Sequence, residues 1–331
     1  MLKGRLTGRH LVPSLLLSLS ALAFSGAALA EQPQQPVAQT PAAAAEPPVP
    51  LLWKASAGER SVYLLGSFHL LKPDDYPLSR DVDAAFADAD KVVFELPPEE
   101  LGSPALGMRM GQAALRGDGT TLDSELPEDT RQALSAGMDA NAGHLQRLQM
   151  SPQVMQLFEP WFAGLMVAIV EMGKAGLDPA LGLDTHLAQR AAQAGKATGG
   201  LETGEQQIEF LDGMDRIEQV QFLQEALDSA ARGPEEIDRM HDAWCRGDAD
   251  GLWEGMARDM RARFPKLYQR VNVERNDAGL QRLEDKLAAP GNDDTLVVVG
   301  ALHLLGEDGV VEKLRARGYE VERICSACAA R

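Results

Sequence analysis

The spacing of hydrophobic and polar residues changes period twice along the chain. From residue 51, LLWKA and SVYLLG are short apolar runs around Ser56-Ala57-Gly58-Glu59-Arg60. Two such runs about a glycine-containing polar break predict a β-hairpin. In SRDVDAAFADA, residues 79–89, Val82, Ala85, Phe86 and Ala89 fall on one helical face. KVVFEL, 91–96, is a short apolar run stopped by Pro97-Pro98, which predicts a buried strand. Strand, helix and strand in that order form the unit of a parallel sheet.

Residues 99–290 are dominated by Leu, Ala, Met, Glu, Gln and Arg, good helix formers that predict a mainly helical block. Its most apolar stretch, WFAGLMVAIV at 161–170, lies between Glu159 and Glu171. Ten residues are too few to span a bilayer, so this stretch predicts a buried helix. One extended piece, KATGGLE at 196–202, follows the helical pattern of DTHLAQRAAQAG. The end returns to alternation, with TLVVVG as a strand, 308–317 as a helix and YEVERI as a last strand. The expected fold class is α/β: a mixed, mainly parallel sheet formed by both chain ends, with a large helical insertion in the middle.

Upstream of the folded pattern, Lys3, Arg5 and Arg9 precede an uncharged Leu/Ala/Ser-rich stretch that ends in Ala28-Leu29-Ala30. A basic start, an apolar run and a small-x-small site define a cleaved signal peptide over residues 1–30. The expected location is periplasmic or secreted, in a Gram-negative bacterium, with no membrane span after cleavage. Residues 31–50 are Pro, Ala and Gln with little apolar bulk and read as a disordered linker. The formal charge of −17 argues against nucleic acid as a partner, because phosphates need Lys and Arg. Of three cysteines, Cys325 and Cys328 form a C-x-x-C near the chain end, where a disulfide could close, and Cys245 stands alone. The pattern leaves the oligomeric state open.

Candidate chemistry follows from asking what comes after each strand, since open α/β sheets bind ligands beyond their carboxyl edges. After the second strand comes Gly66-Ser67-Phe68-His69, and after TLVVV comes Gly300-Ala301-Leu302-His303. The same Gly-x-x-His phrase thus stands at opposite ends of the domain. KVVFEL carries Glu95, and KATGGL is followed by Glu202. Two imidazoles and a carboxylate suit a divalent transition metal such as Mn²⁺, Co²⁺ or Zn²⁺. His69, His303 and Glu95 are therefore the candidate ligands. Glu95 or Glu202 would serve as base for a metal-bound water and Arg275 as an oxyanion contact. Glu202 could instead cap the next helix, beside Thr203 and Glu205. Asp184 reads as the N-cap of the helix that carries His186, and His144 and His241 read as surface residues. No G-x-S-x-G, Walker or H-E-x-x-H motif is present.

The paired Gly-x-x-His phrases resemble those of the TraB/GumN family. GLDTHL at 182–187, GLETGEQQ at 200–207 and VERN at 273–276 resemble its central and late motifs. The resemblance covers about residues 50–325 and implies that residues 51–331 are one TraB/GumN-like domain. It further implies an α/β fold related to erythromycin esterases and ChaN-like haem-binding proteins. Through the family's TIKI proteases it implies Mn²⁺- or Co²⁺-dependent proteolysis by His69, His303 and Glu95. The expectation is an exported metal-dependent hydrolase acting on a peptide or protein. The alternatives are a non-catalytic protein that sequesters a peptide, a metal or haem, and a metal-independent esterase.

Overall fold

The computed structural model describes residues 46–330. The signal segment and most of the linker lie outside the described residues. The last residues assigned to the linker are part of the packed body. Residues 48–50 are buried, and the Val49 amide donates to Cys245 O at 2.8 Å.

Six strands form one sheet, β1 (Leu52–Ala57), β2 (Arg60–Ser67), β3 (Lys91–Phe94), β4 (Ala197–Gly200), β5 (Thr295–Gly300) and β6 (Glu320–Arg323), in the order β4-β3-β5-β2-β1-β6. β4, β3, β5 and β2 run parallel, and β1 is antiparallel to both β2 and β6. The expected hairpin is β1–β2, turning at Gly58 with φ +64°, a conformation that glycine adopts without penalty. The central strands β2 and β5 are buried throughout, as expected of a parallel sheet covered on both faces. The sheet draws on both chain ends, and the helical insertion between them contributes only the edge strand β4.

The insertion packs around the buried helix Pro160–Lys174. Against it lies the helix Arg216–Arg232, whose N-terminus is fixed by an Asp215–Glu218 capping box. Gly164 is where the two helices meet. A Cβ there would stand 2.9 Å from Phe222 Cδ1 and 3.1 Å from Leu223 Cα, so the absent side chain permits the close approach. Cys325 and Cys328 are joined by a disulfide just after β6. No helix among the described residues is long and apolar enough to cross a membrane.

Candidate metal centre

The register of the sheet answers why one phrase is written twice. β2 and β5 are adjacent and parallel, and Ser67 lies beside Gly300. The two Gly-x-x-His turns therefore leave the sheet side by side at its carboxyl edge. They pack tightly: a Cβ on Gly66 would lie 3.3 Å from Ala301 Cα. β3 lies on the other side of β5, so Glu95, one residue past the end of β3, enters the same space. The ladder continues past β4, with the Glu202 amide donating to Glu95 O at 2.8 Å, and this brings Glu202 alongside.

The geometry centres on Glu95. Its Oε1 accepts from the Gly300 amide at 2.6 Å and faces His69 Nε2 at 3.9 Å and His303 Nε2 at 3.7 Å. Its Oε2 accepts from Arg275 Nη2 at 3.0 Å. Arg275 also binds Glu202, through Nε at 2.8 Å and Nη2 at 2.7 Å. His69, His303, Glu95 and Arg275 are all buried. Glu95, Glu202, Arg275 and His303, but not His69, border a cavity of about 30 Å³ whose other walls are largely aliphatic, among them Leu64, Leu283, Val297 and Val299.

Both imidazoles are held by the nitrogen that faces away from Glu95. His69 Nδ1 lies 2.7 Å from Asp184 Oδ2, which also accepts from the Ser67 hydroxyl. His303 Nδ1 lies 2.6 Å from Asn276 Oδ1. The orientation of that amide is fixed, because Asn276 Nδ2 donates to Asp308 O at 2.8 Å. Its oxygen thus faces the ring, Nδ1 carries the proton, and Nε2 of His303 keeps its lone pair. Nε2 of His69 and Nε2 of His303 are both buried without a hydrogen-bond partner. Orphaned buried polar atoms are uncommon and call for an explanation.

Charge supplies the second half of the picture. Burial alone would raise the pKa of Glu95, but Arg275, the two imidazoles and the Gly300 amide outweigh it and bring it down to about 2. Burial and the Arg275 charge push His303 down to about 4. Burial also opposes charge on His69, yet the Asp184 carboxylate, and after it Glu95, raise that ring to about 9. Burial works against charge on Arg275 too, and its two carboxylates outweigh it and raise its pKa. A protonated His69 would bury an Nε2–H with no acceptor in reach, since Glu95 Oε1 is 3.9 Å away. A divalent ion in place of that proton would use both orphaned nitrogens. With neutral imidazoles, Asp184, Glu95 and Glu202 against Arg275 leave a formal charge of −2. The donor set therefore fits a divalent cation in ligand type and in charge. Its three ligand atoms, His69 Nε2, His303 Nε2 and Glu95 Oε1, do not all lie within 4.8 Å of one another, so the two imidazoles must draw together to share one ion. The gaps to Glu95, 3.9 Å and 3.7 Å, are a few tenths of an ångström wider than the roughly 3.4 Å between neighbouring ligands of a tetrahedral ion.

All five residues expected from sequence meet here: His69, His303, Glu95, Glu202 and Arg275. Asp184 is not a cap. The helix Leu183–Ala194 begins after Gly182 as N-cap, and the Asp184 side chain reaches across to Ser67 and His69. Glu202 does not cap either, because Thr203 does so, in a capping box with Gln206. His241 is buried rather than at the surface, while His144 is partly exposed. Sequence reasoning missed the orienting roles of Asp184 and Asn276. A signal for Asp184 was present: Gly182-Leu183-Asp184 and Gly200-Leu201-Glu202 are a second repeated phrase. Both glycines sit against backbone. A Cβ would lie 2.0 Å from His69 O at Gly182 and 2.7 Å from Pro97 N at Gly200.

A sheet that delivers two Gly-x-x-His histidines and a glutamate to one buried edge defines a class of α/β protein with a candidate metal centre. Residues 51–323 match the TraB/PrgY/gumN family, and the chain belongs to it. It is similar to the uncharacterised protein YbaP of Escherichia coli (strain K12), 24% identical over 259 residues, which cover 78% of this chain and 89% of YbaP. YbaP of Shigella flexneri matches to the same extent. No solved structure matches the chain significantly.

Proposed function

We propose that this protein is an exported, metal-dependent hydrolase acting on peptide bonds, with His69, His303 and Glu95 holding one divalent ion. The observation that carries the reading is the pair of buried, unpartnered Nε2 atoms facing a single carboxylate oxygen. Mn²⁺, Co²⁺ and Zn²⁺ all suit two imidazoles and a carboxylate. When bound, the ion supplies Lewis acidity that lowers the pKa of a water. The chain's own groups do the rest. Asp184 and Asn276 hold the Nδ1–H of each ring, so both Nε2 lone pairs point inward. Arg275 bonds to both Glu95, through Oε2, and Glu202, and offsets one of their two negative charges. Glu202, on the cavity wall and less buried than Glu95, takes up the proton. Export rests on the signal pattern of residues 1–30, and the peptide substrate on the family resemblance.

A second reading has an observation in its favour. The cavity beside Glu95 and His303, about 30 Å³, has room for about two waters, not for a peptide. That favours a protein that holds a metal without turning anything over.

One experiment separates these readings. The mature protein is purified without chelator, and its metal content is measured by mass spectrometry beside His69→Ala and His303→Ala. The wild type is then assayed on peptide and ester libraries with and without the ion. The expected result is that each variant holds one equivalent of metal less than the wild type, with chelator-sensitive cleavage of peptides by the wild type. Metal without turnover supports the holding role. Ester hydrolysis that survives chelation supports a metal-free esterase. Full metal content in His303→Ala would end the metal-centre reading.

A further inference from the structure

A second cluster of ligand-type side chains lies behind the Gly66–His69 turn. His241 and Cys245 are four residues apart in the helix Pro234–Arg246 and so share one face, a turn apart. Asp75 comes from the short 3₁₀ turn Pro73–Asp75. Cys245 Sγ lies 3.7 Å from Asp75 Oδ1 and 3.7 Å from His241 Nε2, and His241 Nε2 lies 2.8 Å from Asp75 Oδ2. Asp75 and His241 are buried, and Cys245 is half-buried.

A Cys-His-Asp trio invites a nucleophile reading, and the geometry rules it out. In such a relay the imidazole takes the thiol proton on one nitrogen and is held by the acid through the other. Here the thiol and the carboxylate both meet Nε2. Burial and the neighbouring Asp75 also push the Cys245 thiol up to about 12, the wrong direction for an activated cysteine.

Three donors converging on one point are instead the arrangement of a metal site. We propose that Asp75, His241 and Cys245 form a second site, distinct from the one at Glu95, which binds a thiophilic divalent cation such as Zn²⁺. With bonds of about 2.3 Å to sulfur and about 2.0–2.1 Å to nitrogen and oxygen, tetrahedral ligands stand roughly 3.5 Å from a thiolate. Both sulfur distances are within about 0.2 Å of that. The His241–Asp75 contact is the shorter leg and opens when the ion replaces the shared proton. Asp75 is prepared for this change. Its Oδ2 accepts from the Lys72 amide at 2.6 Å, which orients the carboxylate as an outer-shell partner does. Its Oδ1 faces the thiol.

The position gives the site a consequence. Phe68, between Ser67 and His69, stands edge-on to His241 with ring centroids 6.1 Å apart. Trp244 Nε1 donates to Gly66 O at 2.9 Å. An ion here braces the turn that carries His69.

The test is a Co²⁺ titration of the full mature chain in the His69→Ala/His303→Ala background, which removes both histidines of the first site. One equivalent of Co²⁺ should bind with a near-ultraviolet thiolate-to-cobalt absorption band. Cys245→Ser, a near-isosteric change, should abolish the band and weaken binding by about a hundredfold or more; His241→Ala should weaken it similarly. If His241→Ala does not fold, Cys245→Ser decides alone. Absence of a thiolate band in the double-alanine background overturns the proposal. So does a band that persists in Cys245→Ser, which would assign the sulfur to the C-terminal cysteines.

Discussion

Replacing Arg275 with methionine asks how much one guanidinium holds together. Its side chain is 3% exposed and bonds to Glu95, 4% exposed, and Glu202, 11% exposed. Methionine keeps the bulk and removes the charge. Removing one member of a buried ionic group costs about 3–5 kcal/mol, because the partner charges stay behind uncompensated. Both carboxylates keep something: Glu95 the Gly300 amide, and Glu202 the Gln207 amide at 3.1 Å. The expected loss is therefore at the lower end, about 3 kcal/mol. For a domain of this size that is a fall in Tm of about 6–10 °C. The assay is thermal unfolding by calorimetry or circular dichroism on chelator-treated protein. The double variant Arg275→Met/Glu202→Gln carries the stronger inference. It removes one of the stranded charges and should recover part of the loss, about 1–2 kcal/mol. Arg275→Lys should recover little, since an ammonium cannot reproduce the fork that reaches Glu202 through two nitrogens. A Tm within 2 °C of wild type for Arg275→Met, or a further loss on adding Glu202→Gln, would refute the reasoning.

Other sites give further expectations. Gly182→Ala places a Cβ 2.0 Å from His69 O; relief needs more than an ångström of backbone movement, so metal affinity should fall about tenfold or more with a stability loss of about 1–3 kcal/mol. Gly111→Ala is its control. Nothing lies within 4 Å of that Cβ in the helix Pro104–Ala113, so stability should rise by about 0.5–1 kcal/mol, and a loss there would show that alanine is not a neutral probe in this fold. Asp184→Asn keeps the shape but weakens the hold on His69 Nδ1, and metal affinity by calorimetric titration should drop about 10–100-fold; unchanged affinity would leave Asp184 a purely structural residue. Gly164→Val should destabilise the helix pair by about 1–3 kcal/mol in urea titration, because Leu223 Cα cannot swing away as a side chain would.

Elements whose cause is local were legible in the sequence. The β1–β2 hairpin, the strand–helix–strand over residues 61–94 and the buried helix at 161–170 each follow from period and turn residues within a dozen positions. The pairing of the two Gly-x-x-His phrases was legible as repetition. Their meeting was not, because the register Ser67 beside Gly300 joins strands more than 230 residues apart. What failed was the assignment of partners. Asp184 and Glu202 both stand where a helix begins, and a local reading makes each a cap. Their side chains prefer buried partners at long range, and Gly182 and Thr203 take the N-cap positions. His241 was misread for a different reason. The helix PEEIDRMHDAWCR is polar in composition, but Ile237, Met240, His241 and Trp244 lie on its buried stripe. Applied strictly, the period would have placed that histidine inside.

The helical insertion is part of the site rather than an ornament on the sheet. Strand ends at the sheet's carboxyl edge deliver His69, Glu95 and His303. The groups that set their charge and direction, Asp184, Glu202, Arg275 and Asn276, all come from residues 99–290. Without the insertion, each imidazole would lose its Nδ1 partner and Glu95 its counter-ion, together with the cover that buries them. Burying an unpaired carboxylate costs several kcal/mol, so the segment that covers Glu95 must also supply its counter-ion. The glycines serve the same joining: Gly182 lets the insertion's backbone approach His69, and Gly200 lets β4 close against Pro97. The Gly66–His69 turn lies between two supports from the insertion, Asp184 on the side of Ser67 and His69, and Trp244 with His241 on the side of Gly66 and Phe68. A change in either support must therefore reach His69 through the turn, even when it leaves Glu95, His303 and the His69 side chain itself unaltered.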